Sequence, residues 1–177
     1  HGIPTFEHWG RFGQGLAQLW GGDPDSGIVT MRKAMAAERS LNAGLFLPMH
    51  LGCVAEAHAS IGERVIALEL LDEAIPLVAR TEEGLFEPEL HRLRGELFLD
   101  ENPSEAEASF VRAMSIARRQ GAKSWELRAA VSLAKLWDAQ DRRIDARNLL
   151  VPIYDWFTEG FDTPDLVEAR MMLERLQ

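Results

Sequence analysis

Small and apolar residues recur along this chain at spacings of three, four and seven, the spacing of one face of an α-helix. Four windows share one form: a small residue, an apolar residue four later, then a small or apolar residue three further on. They are Gly27/Met31/Ala34, Ala67/Leu71/Ala74, Ala106/Phe110/Ala113 and Ala146/Leu150/Ile153, and their anchors lie 40, 39 and 40 positions apart. A fixed period of this length marks an array of helical repeats. A second helical stretch precedes each window. Leu51, Val54, Ala55 and His58 stand before Ala67 at the same distances as Ala130, Leu133, Ala134 and Trp137 before Ala146. Each copy therefore reads as a helical hairpin burying a shared stripe.

The breaks between helices are also legible. Asp23-Pro24 starts the second helix, Gly62-Glu63 separates the hairpin of the second copy, and Asp141 fills the same turn in the fourth. Ser104 with Glu107 reads as a capping box for the third window. Thr163-Pro164-Asp165 opens a ninth helix reaching about Leu176, which closes the array. Two places leave the register. Extrapolation from Gly27 puts Arg11, Gln14 and Gln18 at buried positions of the first helix, whereas its apolar stripe is Trp9, Phe12, Leu16, Leu19 and Trp20. Either the hairpin loop differs by two residues, or this helix shows its apolar face to a further repeat. The third copy is one residue short between Gly95 and Ala106. The expected fold is all-α: nine helices, eight of them in four antiparallel hairpins forming a right-handed superhelix, over a single domain 1–177.

The small–large–small pattern resembles the tetratricopeptide repeat, with a period near 40 where 34 is usual. Repeats of this length resemble those of bacterial signal-transduction ATPases and the maltose-regulon activator group. The runs Glu105-Ala106-Glu107-Ala108, Arg118 to Ala130 and Trp156 to Leu166 are similar to the tail of a bacterial family. Its members carry a class III adenylate/guanylate cyclase or a winged-helix regulator, then an ATPase, then these repeats. The resemblance implies a non-catalytic protein–protein or interdomain interaction module of a cytoplasmic signalling protein, with the upstream domains of the same polypeptide as partner. A small-molecule sensor with its ligand inside the superhelix is the alternative.

Composition narrows this further. A net charge of −9 excludes a general nucleic-acid binder. No apolar run is long enough to span a membrane. The single cysteine, Cys53, cannot form an internal disulfide and fits a reducing compartment. The opening His1-Gly2-Ile3-Pro4, without Met or signal peptide, points to a piece of a larger protein. Between Arg112 and Arg147, nine Lys/Arg face four acids, a local excess that reads partly as helix-end complementarity and partly as a docking patch for an acidic partner.

No catalytic constellation stands out, and no cofactor is expected. Gly10, Gly13 and Gly15 lack the Lys-Ser/Thr and preceding strand of a phosphate loop. His50, Cys53 and His58 share a helix without a second ligand cluster, so a packed thiol and structural histidines are expected, not a metal site. The family's inner-face positions fall on Met49, Glu56 and Ser60 in the second copy. In the third they fall on Glu89, Arg92 and Glu96, and in the fourth on Arg128, Lys135 and Asp138. These are the candidate binding residues, mixed in charge and suited to a polar peptide or neighbouring domain. The stripe Trp9, Phe12, Leu16, Leu19 and Trp20 is the candidate interface, core or homodimer contact.

Overall fold

A computed structural model describes residues 4–40 and 46–177. The tripeptide His1-Gly2-Ile3, on which the expectation of a cut N-terminus rests, lies outside them. Among the described residues the chain is all-α, without a strand. Nine helices follow in order: Pro4–Trp20 (α1), Pro24–Ser40 (α2), Leu47–Ser60 (α3), Arg64–Thr81 (α4), Glu87–Phe98 (α5), Pro103–Gln120 (α6), Lys123–Ala139 (α7), Arg143–Tyr154 (α8) and Pro164–Arg175 (α9). A 3-10 turn, Gly84–Phe86, leads into α5. The chain forms two compact units, His1–Leu90 and His91–Gln177, and the division falls inside α5.

In the first unit α1 packs on α2, α3 on α4, and α3 also on α2. The anchors Gly27 and Ala67 lie in the core with Met31, Ala34, Leu71 and Ala74. Gly15 stands twelve positions before Gly27, as Ala55 does before Ala67, and the turns Gly21–Asp23 and Ile61–Glu63 have equal length. The first hairpin therefore keeps the register, and the loop does not differ by two residues. Both glycines let the backbones meet: a Cβ on Gly27 would stand 2.8 Å from the Gly15 carbonyl oxygen, and one on Gly15 would stand 2.5 Å from Met31 Cγ and 3.0 Å from the Gly27 carbonyl oxygen. Arg11 and Gln14 occupy the positions of Leu51 and Val54, which face α2. In the first copy no described helix lies there, and both side chains are exposed. Gly10 and Gly13 are open, so of the three glycines only Gly15 is packed.

In the second unit α7 packs between α6 and α8, and α9 lies on both α7 and α8. Phe110 is fully buried and sits over Gly95 of α5, where a Cβ would be 2.4 Å from its ring. The turn of the third copy, Leu99–Asn102, is one residue longer than the three-residue turns of the other hairpins, not shorter, because α5 ends one residue earlier relative to the anchor Ala106. Leu166, Ala169 and Met172 of α9, with Leu176 just after it, complete the core around Ala130, Leu133, Ala146 and Leu150. The capping of α6 differs from expectation. Asn102, not Ser104, is the N-cap, its Oδ1 accepting from the Glu105 N–H at 3.2 Å, because Pro103 takes the first helical position. Asp23 caps α2 as expected, accepting from the Ser26 N–H at 3.1 Å. Thr163 precedes α9 but turns its hydroxyl back to the Gly160 carbonyl, so no side chain caps that helix.

Replacing Ala146, which is fully buried, by Leu should lower stability by about 1–3 kcal/mol through overpacking. Gly95→Ala should shift the urea midpoint in the same direction, since only the Phe110 ring can yield. An unchanged midpoint in both would mean that the helix pairs do not cross at these residues.

Candidate functional site

The inner-face positions divide among several surroundings. In the first unit, Glu56 and Ser60 of α3 come together with Leu19 and Trp20 of α1 and with Gly22 and Pro24 around a cavity of about 360 Å³. This joins two groups that the sequence kept apart, because the end of α1 and the last two turns of α3 lie side by side. Trp20 is 77% exposed at its edge. The remainder of the α1 stripe is progressively covered. Phe12 is 3% exposed and stacks on His50 with ring centroids 3.9 Å apart; Trp9 meets Phe46 edge-on; Leu16 and Leu19 are half-buried. The stripe is thus core at Phe12 and surface at Trp20. Met49 goes elsewhere, to a smaller hollow of about 200 Å³ with Phe46, Leu85 and Phe86. Glu89 is buried at 3% exposure and cannot present its carboxylate to a partner.

In the second unit the expected residues form a ladder of polar contacts across α5, α7 and α9. Glu96 of α5 accepts from Arg92 at 3.0 Å and from the Ser132 hydroxyl of α7 at 2.6 Å. Arg128 pairs with Asp165 at 3.6 Å and Lys135 with Glu168. Asp138, whose side chain is 7% exposed, is held by Arg143 at 3.4 Å and Arg175 at 2.6 Å. Sequence reasoning misses Asp165, Glu168 and Arg175, because it treats α9 only as a cap, and it misses Ser132 of α7, whose hydroxyl meets Glu96 only once α5 lies beside it. The spacing of Asp165, Glu168 and Arg175 along α9 places them beside α7 once that packing is known. Exposed pairs such as Lys135–Glu168 contribute about 0.2–1 kcal/mol each, so they set register between helices more than they stabilise them.

The local basic excess is answered partly across helices and partly within one. Arg142 reaches Glu107 of α6 at 3.2 Å, and the buried Glu126 of α7 accepts from Arg118 of α6 at 2.7 Å and from Lys123 of its own helix at 2.8 Å. Burial alone would raise the Glu126 pKa, but those two hydrogen bonds and charges prevail and hold it below the ordinary value. The His50, Cys53 and His58 set does not converge. His50 stacks on Phe12, His58 Nδ1 meets Glu63 at 2.5 Å, and burial with Glu56 and Glu89 nearby pushes the Cys53 thiol up to about 12. Such a thiol is a poor nucleophile. Among the described residues no group of three His, Cys, Asp or Glu is placed to hold a metal, and no helix is long and apolar enough to cross a membrane.

Comparison with solved structures places this architecture. The chain superposes on the nearly identical TPR-like repeats of a putative kinesin light chain from Podosopora anserina. For a form of that protein carrying one substitution, the TM-score is 0.72 at 14% identity, over 99% of this chain and 87% of that one. The form without the substitution gives 0.71 at 14% identity over the same shares. The fold is TPR-like. Identity this low carries the fold and nothing finer. No protein-family model and no curated protein matches the chain.

One titration in the second unit has a measurable consequence. Burial, with Arg112 and Arg94 nearby, lowers the His91 pKa from 6.5 to about 4. The native ring refuses a proton that the unfolded ring takes up below about 6.5, so stability falls as pH drops from about 6.5 to about 4. His91→Gln should flatten the melting temperature over that window while leaving the steeper loss at lower pH, where Glu126 and other carboxylates protonate. Calorimetry from pH 7.5 to 4 would read it; parallel curves for the two proteins would refute the assignment.

Proposed function

We propose that residues 1–177 act together as one non-catalytic repeat domain that binds a protein or peptide, with the surface around Trp20, Glu56 and Ser60 as its principal contact. The exposed indole of Trp20 at the edge of an open cavity carries this reading. Trp is the side chain most often found at the energetic centre of interfaces, and a carboxylate and hydroxyl beside it supply orientation. Stacked helical repeats offer their concave faces as extended binding surfaces. The similarity of Arg118 to Ala130 and of Trp156 to Leu166 to the tails of cyclase- or regulator-linked ATPases supports a cytoplasmic bacterial signalling protein as the setting. There its partner is the upstream part of the same polypeptide. Coupling then requires that the domain bind two states of that upstream part unequally. A small-molecule ligand fits less well, since Trp20 leaves the cavity mouth to solvent where a ligand pocket would enclose its occupant.

Titrating this chain with the protein segment encoded ahead of it in its gene tests the proposal. Trp20→Ala should weaken binding by about thirtyfold, a loss on the scale of an interface hot spot, with an unchanged far-UV spectrum because the side chain is solvent-facing. Glu56→Lys should weaken it as well. Equal affinity for wild type and both variants would remove this surface from consideration. Sedimentation of Trp20→Glu separates the homodimer alternative, in which the wild type self-associates and the variant does not.

A further inference from the structure

A groove between the second helices of successive hairpins is built twice, from the same repeat positions. In the first unit, Met35 and Arg39 of α2, Val54 of α3 and Leu70 and Glu73 of α4 line a cavity of about 290 Å³. In the second unit, 79 positions later, Met114 and Arg118 of α6, Leu133 of α7 and Leu149 of α8 line one of about 360 Å³. The helices keep the same offset, with Pro24 and Pro103 opening α2 and α6, and Arg64 and Arg143 opening α4 and α8.

The two linings differ at several equivalent positions, Arg32/Val111, Ala36/Ser115 and Glu73/Pro152 among them, and the last of these removes a carboxylate. In the first, the Arg39 guanidinium meets the Glu73 carboxylate of α4, so the groove carries its own counter-charge. The α8 position equivalent to Glu73 is Pro152, exposed and without a carboxylate. Arg118 instead reaches across to Glu126 of α7, and its neighbour Arg119, also lining the groove, donates to Ser115. The residues lining this second groove include no acid, while Val111 at its rim is 49% exposed. Trp137 lies in its floor, with a buried indole Nε1 that has no hydrogen-bond partner.

We propose that the α6/α7/α8 groove docks an acidic amphipathic helix of a partner polypeptide. An apolar side chain of that helix fills the cavity over Leu133 and Leu149. Its carboxylate stands toward Arg118 and Arg119 as Glu73 stands toward Arg39. Apolar burial supplies affinity without direction, and the guanidinium–carboxylate contact supplies register. The groove shares no residue with the Trp20 surface, and the two sites stand or fall separately.

The probe is a fluorescein-labelled helical peptide with Leu at positions i and i+4 and Glu at i+7 and i+8, followed by fluorescence anisotropy against the full chain. The wild type should bind it saturably, and a version with Gln for Glu should bind about tenfold more weakly, a difference of about 1.4 kcal/mol. Pro152→Glu restores the missing carboxylate and should weaken peptide binding by a similar factor, whereas Pro152→Ala should bind as the wild type does. Arg119→Glu should also weaken it, and Trp20→Ala should not. Thermal melts establish that each variant is folded; both sites are exposed, and removing Pro from α8 should not cost stability. Absence of saturable binding, equal binding of the Glu and Gln peptides, or equal binding by Pro152→Glu and wild type would each overturn the proposal.

Discussion

Two helices can run side by side at short range only where one of them presents almost nothing beyond its backbone. In this chain that condition is met once per hairpin. Gly15 faces Gly27, Ala55 precedes Ala67 by the same twelve positions, Ala134 precedes Ala146 likewise, and Gly95 lies under the Phe110 ring. Around each of these points the larger residues Met31, Leu71, Phe110 and Leu150 close the core. The volume available at the crossing is so small that a methyl group decides the outcome. The third copy meets the constraint differently: its turn, Leu99–Asn102, is one residue longer than those of the other hairpins, and Gly95 lies against the Phe110 ring, where a Cβ would stand 2.4 Å away.

The turn joining the helices of a hairpin tolerates changes of chemistry that the crossing does not. In the second copy a left-handed glycine, Gly62 at φ +82°, precedes Glu63, whose carboxylate meets the ring of His58. In the fourth copy Asp141 at φ +61° takes the place of the glycine, and Arg142 lies 4.3 Å over the Trp137 ring in the place of Glu63 beside His58. A ring at the end of one helix and a charge at the start of the next are kept together, once as an ion–imidazole contact and once as a cation–π contact. Geometry holds the arrangement, and either pair satisfies it.

Surface charge follows a related logic. A net charge of −9 and a basic stretch in the second half would together describe an asymmetric molecule. In the folded chain most of those cations meet acids brought from other helices, Glu107 of α6 and Asp165 and Glu168 of α9 among them. Charge counted along a sequence window is therefore a poor guide to charge presented on a surface, because neighbouring helices supply counter-ions from far along the chain.

The sequence by itself determined the helices, the period of the array and the crossing points, since these depend on spacing along a single helix and on side-chain size. The resemblance to tetratricopeptide repeats named Arg92, Glu96, Arg128 and Lys135 as inner-face binding positions. Tertiary structure alone decided what each of them touches. Ser132, Asp165 and Glu168 are ordinary polar residues until α7 packs beside α5 and α9. Trp20 and Glu56 share a cavity only because α1 and α3 run side by side. The same limit hid the fate of the α1 stripe, whose regular spacing makes Phe12 and Trp20 look alike. One is buried on His50 and the other faces solvent, because burial depends on which neighbouring helix lies alongside, and no pattern within one helix encodes that.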